Sequence, residues 1–281
     1  MFGTSETVLH GLSPTLSQLA VSLASSVSQG RLRKDVEALI GPHNRLHLSD
    51  KMREAEDLIF SRFQEAGWEV KRRPFSINKA KGNLDYGQFS PITYPELSGV
   101  NITAEKPGVE TNETLVIEAH YDTVRISPGA DDNTASVAAL LELARILKPY
   151  PIKKTLMLAA CDMEEIGFIG ATHLVNELKD ERKVQGAIIL ETLAYTSNQM
   201  NTQSTPSGFG WVYPKQMKRL KNRGFTGEGA VVIYHKNGKA LAVKFAEGMV
   251  TSGGPQAAML LRGPADIPFI GWILRVAFLP L

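Results

Sequence analysis

Three short apolar runs alternate with helical patterns in the middle of the chain. The runs cover residues 114–119, 155–160 and 186–190. The segments after the first two carry apolar residues at three- and four-residue steps, as amphipathic helices do: Val137, Leu140, Leu141, Ala144 and Leu147, then Ala171, Leu174, Val175 and Leu178. Continuously apolar strands that alternate with helices are typical of a sheet covered on both faces. The pattern predicts an α/β fold, a three-layer sandwich with a mixed, centrally parallel sheet.

Further elements are expected on either side of this central pattern. Residues 1 to about 30 are rich in Ser, Gly and Thr and have no sustained period, so we expect a loosely ordered arm or short helix there. Residues 31–281 are expected to form one domain. The patterns predict these further elements: a helix from Ser49 to Ala66 capped by Ser49 or Asp50, strands over 68–77, 100–104 and 230–234, a helix through Leu241, Phe245 and Met249, and a long surface loop over 198–210.

The composition excludes several classes of protein. A net charge of +2 gives no reason to expect nucleic acid or an anionic membrane as the principal partner. The apolar segment 267–281 falls short of the roughly 20 residues that cross a bilayer, which favours a buried strand or helix. Cys161 is the only cysteine, so no intrachain disulfide is possible, and we expect it to be a small buried residue. The apolar stretch 16–23 makes a poor signal peptide, and a cytoplasmic location is expected.

Acidic side chains and one histidine follow the predicted strands, at the points where the strands end. His120 and Asp122 come after the first apolar run, Glu164 and Glu165 after the second, and Glu191 ends the third, while Asp131 and Asp132 lie in the turn after the first strand. Because sites in open α/β sheets form at the carboxyl ends of the strands, these residues are expected to converge.

So many carboxylates at one edge of a sheet would repel one another. Bound divalent cations would remove the repulsion, and imidazole with carboxylate is a ligand set suited to zinc. Helix capping is the alternative explanation for Asp131 and Asp132, and we interpret Asp131 as a turn or helix-cap residue. Capping does not account for His120 or Glu191, so the set as a whole predicts a metal site.

Four motifs carry a family resemblance: AHYDTV at residues 119–124, PGADDN at 128–133, DMEEIG at 162–167 and LETLAY at 190–195. In this order, each at a strand end, they resemble the co-catalytic, dinuclear zinc aminopeptidases of the bacterial leucyl aminopeptidase type. Glutaminyl cyclases and glutamate carboxypeptidases are relatives of that family. The resemblance covers about residues 30 to 250 and implies a zinc exopeptidase-like fold.

The resemblance also implies an activity and a role for each site residue. It implies a zinc metallopeptidase that hydrolyses N-terminal peptide bonds of substrates with a free N-terminus, by means of a zinc-activated water. Two zinc ions are expected. The implied ligands are His120 on one zinc, Asp132 bridging both, Glu165 on the other, and Glu191 completing a coordination sphere. Glu164 would be the general base, and Asp122 would hold the imidazole of His120 in the required tautomer.

The chain departs from the family pattern near its C-terminal end. The family has a second histidine ligand, in an Asp-His pair shortly before a Phe, whereas residues 265–269 keep Asp266 and Phe269 without the histidine. His235 is the one histidine beyond residue 173, and we interpret it as a solvated turn residue. The domain is therefore expected to be truncated or divergent after about residue 250. Three functions stay open: an active exopeptidase, a catalytically impaired pseudoenzyme or binding protein, and a single-zinc glutaminyl cyclase-like acyltransferase.

Overall fold

The structure is a computed structural model that describes residues 9–82 and 92–267. Its helices are α1 Pro14–Ser25, α2 Gln29–Leu39, α3 Ser49–Glu65, α4 Ala135–Leu147, α5 Ile169–Glu181, α6 Phe209–Val212, α7 Pro214–Asn222 and α8 Lys239–Gly253. Its strands are β1 Glu69–Gly82, β2 Ile92–Lys106, β3 Thr111–His120, β4 Lys154–Cys161, β5 Val184–Ile189, β6 Ala230–Tyr234 and β7 Ala258–Arg262. In the part of the chain so described, every helix is too short or too polar to cross a lipid bilayer.

The chain divides into two compact units. One is Val27–Ala194, and the other combines the residues up to Ser26 with those from Tyr195 onward. The division into an arm of residues 1–30 and one domain of residues 31–281 stays a prediction. The expected buried element over 267–281 lies, apart from Ile267, outside the described residues.

A five-stranded sheet forms the centre of the Val27–Ala194 unit, with strand order β1-β2-β4-β3-β5. β2 runs antiparallel to both β1 and β4, whereas β3 runs parallel to both β4 and β5. The predicted mixed, centrally parallel sheet is therefore confirmed. The parallel trio places the carboxyl ends of β3, β4 and β5 at one edge, which is where the acidic motifs follow.

The two faces of β4 show why the unit has three layers. Leu156, Leu158 and Ala160 pack into a core with residues of α3 and α4. Met157, Ala159 and Cys161 alternate with them and pack against Leu174 and Leu178 of α5 on the opposite face. Since successive side chains of a strand point to opposite faces, the continuous apolar run from Leu156 to Cys161 requires cover on both faces. Cys161 is buried at the end of β4, as expected.

Two details differ from the sequence expectations. Leu48, and not Ser49 or Asp50, occupies the N-cap position of α3, and no side chain caps this helix. β5 was expected to be a covered strand, but it ends the five-stranded sheet, and Ile189 is 59% exposed and Val184 38% exposed. An apolar run alone does not distinguish a central strand from an edge strand, because the neighbour that would cover it is remote in sequence.

In the second unit, β6 and β7 pair in parallel. Ala242 and Ala246 of α8 pack on Ala258 and Leu260 of β7, and α1 also lies against α8. The predicted strand over 230–234 and the helix after it are both present. Residues 198–208 form neither helix nor strand, in agreement with the expected loop.

Candidate metal centre

The ends of three parallel strands bring the predicted site residues together. His120 is the last residue of β3 and pairs with Cys161, the last residue of β4. Glu164 and Glu165 follow β4 by three and four positions, and Glu191 follows β5 by two. The sequence therefore placed these residues correctly at one edge of the sheet.

The imidazole of His120 is the centre of the cluster. Its Nε2 atom lies 3.1 Å from Oδ1 of Asp132, 3.5 Å from Oε2 of Glu191 and 3.9 Å from Oε2 of Glu164. Of the described residues, His120, Asp132 and Glu191 form the one group of three potential ligands whose donor atoms all lie within 4.8 Å of one another. His120 is buried, whereas the Asp132 and Glu191 carboxylates are about half exposed and open to solvent. Glu165 is not a member of this three-residue group.

Backbone contacts fix which nitrogen of His120 faces the carboxylates. The Nδ1 atom lies 3.0 Å from the carbonyl oxygen of Asp122 and 3.4 Å from Oδ1 of the same residue. Because a carbonyl oxygen only accepts hydrogen bonds, Nδ1 carries a hydrogen and Nε2 is left to act as a ligand. The orienting contact predicted for Asp122 is present, but its backbone carbonyl lies closer to the imidazole than its carboxylate does.

The carboxylate of Asp122 has a second contact that the sequence did not indicate. It accepts hydrogen bonds from the backbone N–H of Glu164 at 2.9 Å and of Glu165 at 3.2 Å. Asp122 is fully buried, so these bonds are shielded from water. One carboxylate therefore connects the loop after β3 to the loop after β4 and sets the position of the glutamate pair.

The turn between β3 and α4 holds the third strand end in place. Asn133 is buried, and its Nδ2 atom donates to the backbone oxygen of Leu190 at 2.9 Å and to Oε2 of Glu191 at 3.1 Å. Asn133 is a positioning residue that sequence reasoning missed, although it lies within the PGADDN motif. The sequence feature that could have indicated it is its position: Asn133 is a polar residue between the acidic pair Asp131 and Asp132 and the apolar helix α4. Gly129 has a φ of +66°, and a Cβ there would come within 2.3 Å of Thr123, so the turn requires glycine.

Asp131 lies in the turn before α4, in agreement with the turn interpretation, and it also contacts the segment after β5. Its Oδ1 atom accepts a hydrogen bond of 2.6 Å from the backbone N–H of Ala194, and no side chain caps the helical turn at Ala130–Thr134. Asp131 and Asn133 thus both hold the segment that follows β5. In the other unit, His235 is 74% exposed at a turn, as expected, with Nδ1 3.4 Å from Oδ2 of Asp266.

The electrostatics of the cluster indicate an excess of negative charge. Burial raises the pKa of Glu164 to about 7 and that of Glu165 to about 8, and the neighbouring carboxylates add to both rises while His120 opposes them. Burial lowers the pKa of His120, but hydrogen bonds with Asp122, Asp132 and Glu191 outweigh this effect and raise it overall. Imidazole and carboxylate are donors that zinc accepts, and a divalent cation would relieve the repulsion. The donor set therefore fits a zinc ion.

The stability of the metal-free protein should fall as the pH rises from about 5.5 to 8. Glu164 and Glu165 hold their protons in the folded state at pH values where the unfolded chain has released them. His120 acts in the same direction, because its pKa is higher in the folded state than in the unfolded chain. Its contribution to the free energy of unfolding is complete below about pH 6.5, the pKa of the unfolded chain, and declines above that pH. We expect the Tm of chelator-treated protein to drop by several degrees across this range. In the double variant Glu164→Gln/Glu165→Gln, the Tm should depend less on pH. A Tm that rises with pH would contradict this account.

Comparison with known proteins finds similarity over the part of the chain that carries the site. The profile described as Peptidase family M28 matches residues 101–227, which include every residue of the cluster. Aminopeptidase YwaD of Bacillus subtilis is 37% identical over 81 residues, 28% of this chain and 18% of that protein. Leucine aminopeptidase 1 of Ajellomyces capsulatus is 28% identical over 193 residues, 64% of this chain and 46% of that protein. The chain spans less than half the length of these curated relatives.

Solved structures agree on the fold. The crystal structure of LapB from Legionella pneumophila is similar with a TM-score of 0.55 and 16% sequence identity, over 96% of this chain and 64% of that one. At this level of identity the likeness concerns the arrangement of the helices and strands. It agrees with the α/β architecture described above.

Proposed function

We propose that the chain is a zinc-dependent aminopeptidase, a hydrolase that removes N-terminal residues from peptides, because its residues 101–227 match the profile of Peptidase family M28. The observation that carries the proposal is the group formed by His120, Asp132 and Glu191, whose donor atoms lie within 4.8 Å of one another beside Glu164. The curated relatives named above are aminopeptidases, which supports peptides with a free N-terminus as the substrate class.

We propose that His120, Asp132 and Glu191 would hold one zinc ion, and that Glu165 together with Asp132 would hold a second. The influence of Asp132 on the pKa of Glu165 supports this pairing, because the charge of Asp132 raises that pKa. When bound, zinc would supply Lewis-acid chemistry, polarising the scissile carbonyl group and making a nearby water molecule more acidic. Asp122 and Asn133 keep the ligands in place through the hydrogen bonds described above.

Glu164 is proposed to carry the proton of the reaction. As general base it takes a proton from the attacking water, and as general acid it delivers that proton to the amino group that leaves. A pKa of about 7 suits a group that must both accept and release a proton near neutral pH. The backbone N–H of Glu164 is held by Asp122, which keeps the carboxylate 3.9 Å from His120 Nε2.

The proposal predicts zinc-dependent release of free amino acids. Purified protein supplied with zinc should release the N-terminal residue from a panel of aminoacyl amides and short peptides, and a chelator should remove the activity. The matched control is the same peptide with an acetylated N-terminus, which should stay intact. Equal cleavage of blocked and free peptides would contradict aminopeptidase specificity, and absence of turnover with every divalent metal tested would refute the proposed activity.

A single-zinc glutaminyl cyclase-like reaction is the second candidate. The observation in its favour is that Glu165 lies outside the three-ligand group, so the described side chains assemble one ion position directly. A peptide with N-terminal glutamine separates the two activities. A cyclase releases ammonia and leaves a peptide whose mass is lower by one ammonia molecule, whereas an aminopeptidase releases free glutamine.

Two further hypotheses, one on activity and one on location, stand beside this proposal. A pseudoenzyme or binding protein would hold less than one zinc per chain by elemental analysis and would show neither reaction. A cytoplasmic location is compatible with the single cysteine, Cys161, and fractionation of cells that express the protein would check it.

A further inference from the structure

We infer that Arg45 is a positioning residue for the zinc site: it ties the loop after β3 to the loop after β4 and so sets the spacing between His120 and the pair Glu164 and Glu165. The inference rests on the proposed function of that site but concerns a residue outside it. Arg45 lies in the connection between α2 and α3, far in sequence from every metal-site motif.

The guanidinium group of Arg45 contacts three side chains at once. Its Nε atom donates to Oδ2 of Asp162 at 2.6 Å, and its Nη2 atom donates to Oη of Tyr121 at 3.0 Å and to Oε2 of Glu56 at 2.8 Å. Tyr121 and Asp162 are fully buried, and the Arg45 side chain is only 13% exposed. Water therefore competes little with these contacts, and their geometry is well defined.

Two of the three partners of Arg45 lie in the motifs that carry the proposed site. Tyr121 stands between His120 and Asp122, and Asp162 stands two residues before Glu164. Val100 of β2 closes the arrangement, because its backbone oxygen accepts from Tyr121 Oη at 2.7 Å and its backbone N–H donates to Asp162 Oδ2 at 3.0 Å. A movement of either loop would break a hydrogen bond in this closed ring.

The residues before Arg45 hold its backbone against the same loop. The backbone N–H of His43 donates to Oγ1 of Thr123 at 2.8 Å, and the backbone N–H of Thr123 donates to the oxygen of His43 at 2.9 Å. The side chain of Asn44 donates to the backbone oxygen of Thr123 at 3.2 Å. The segment is thus fastened beside Asp122, and the guanidinium group starts from a fixed position when it spans the two loops.

Asp122 and Arg45 make two separate connections between the same two loops. Asp122 binds the backbone of Glu164 and Glu165 directly, and Arg45 holds the bases of the loops, at Tyr121 and Asp162. The planar guanidinium fork can bond two partners in fixed directions, whereas a lysine ammonium keeps the charge but not this geometry. Arg45→Lys therefore removes the spacing function and retains a cation beside the buried Asp162.

The test compares Arg45→Lys with Arg72→Lys in the full chain. Arg72 also pairs with Glu56, through Nε at 2.8 Å from Oε1, but its hydrogen bonds go to Glu56 and Asp57 and not to the strand-end loops. Arg45→Lys should weaken binding of Co²⁺, used as the probe, by about 10- to 100-fold and change its visible absorption spectrum, as expected for lost support of metal ligands. Its kcat on an aminoacyl amide should fall by a similar factor, with KM little changed. Arg72→Lys should match the wild type in all three measurements.

Wild-type Co²⁺ affinity and spectrum in Arg45→Lys would overturn the role of Arg45 alone, and so would equal losses in the two variants. A wild-type protein that binds no Co²⁺ would overturn the proposed function and this inference with it. Should Arg45→Lys fail to fold, Tyr121→Phe serves in its place. This variant keeps the Arg45 pair with Asp162 and loses the two hydrogen bonds of the phenol group, from Arg45 and to the backbone oxygen of Val100. A reduced Co²⁺ affinity with an altered spectrum is then the expected result, and wild-type affinity and spectrum would overturn the inference.

Discussion

Replacing Glu164 by glutamine should lower kcat on an aminoacyl amide by about 10²- to 10⁴-fold, the usual contribution of a general acid–base group. The amide keeps the size and the hydrogen-bonding backbone of the residue but cannot take a proton from water. Glutamine also removes a carboxylate whose pKa is raised to about 7 by burial and by its acidic neighbours, so the metal-free variant should be more stable than the wild type at pH 8. Lower activity with higher stability is the combined signature of a group retained for chemistry.

Glu165→Gln is the matched comparison for this prediction. Both glutamates follow β4 and both bond Asp122 through their backbone N–H groups, so the two variants disturb the loop equally. Glu165→Gln should reduce the number of zinc ions per chain, whereas Glu164→Gln should leave it near the wild-type value. Elemental analysis and steady-state kinetics on the same preparations separate the two roles. If Glu164→Gln loses zinc while its activity per bound zinc is unchanged, Glu164 is a ligand and not the base.

The sequence predicted the sheet and the strand-end site for a common reason. Apolar periodicity reports which residues face a core, and β4 is apolar from Leu156 to Cys161 because both of its faces are covered. Parallel strands then carry whatever follows them to one edge, which is why His120 and Glu191 meet although 71 positions separate them. Both inferences need only local pattern and topology.

The contacts that hold the site in place could not be predicted in this way. Asn133 bonding Glu191, Asp131 bonding Ala194 and Arg45 bonding Asp162 all join segments that are remote in sequence. Polar side chains in loops have no periodicity, and the partner of each depends on how the loops pack. The exposed edge at β5 could not be predicted for the same reason. Whether a strand is covered depends on the elements that pack beside it and not on its own sequence.

Replacing His120 by alanine should weaken zinc binding by at least about 100-fold, more than the loss of an outer hydrogen-bond partner costs. Its Nε2 atom is the only nitrogen donor of the three-ligand group, and its Nδ1 contacts with Asp122 orient it before any metal binds. The variant leaves carboxylates alone at the site, and these favour harder ions such as Mg²⁺ or Mn²⁺ over zinc. Hydrolysis of aminoacyl amides with zinc should therefore fall to the background rate.

Competition with a chromogenic chelator measures this loss directly, and His47→Ala is the control because His47 is an exposed histidine of the same unit outside the cluster. The zinc affinity of His120→Ala should also depend less steeply on pH than that of the wild type between about pH 6 and 8, since zinc no longer has to displace a proton from the imidazole while Glu164 and Glu165 still titrate. In the wild type that proton is held tightly by Asp122, Asp132 and Glu191, so zinc binding should strengthen steeply as the pH rises. Wild-type zinc affinity in His120→Ala would show that the ion binds elsewhere, and the three-ligand group would then lose its assigned role.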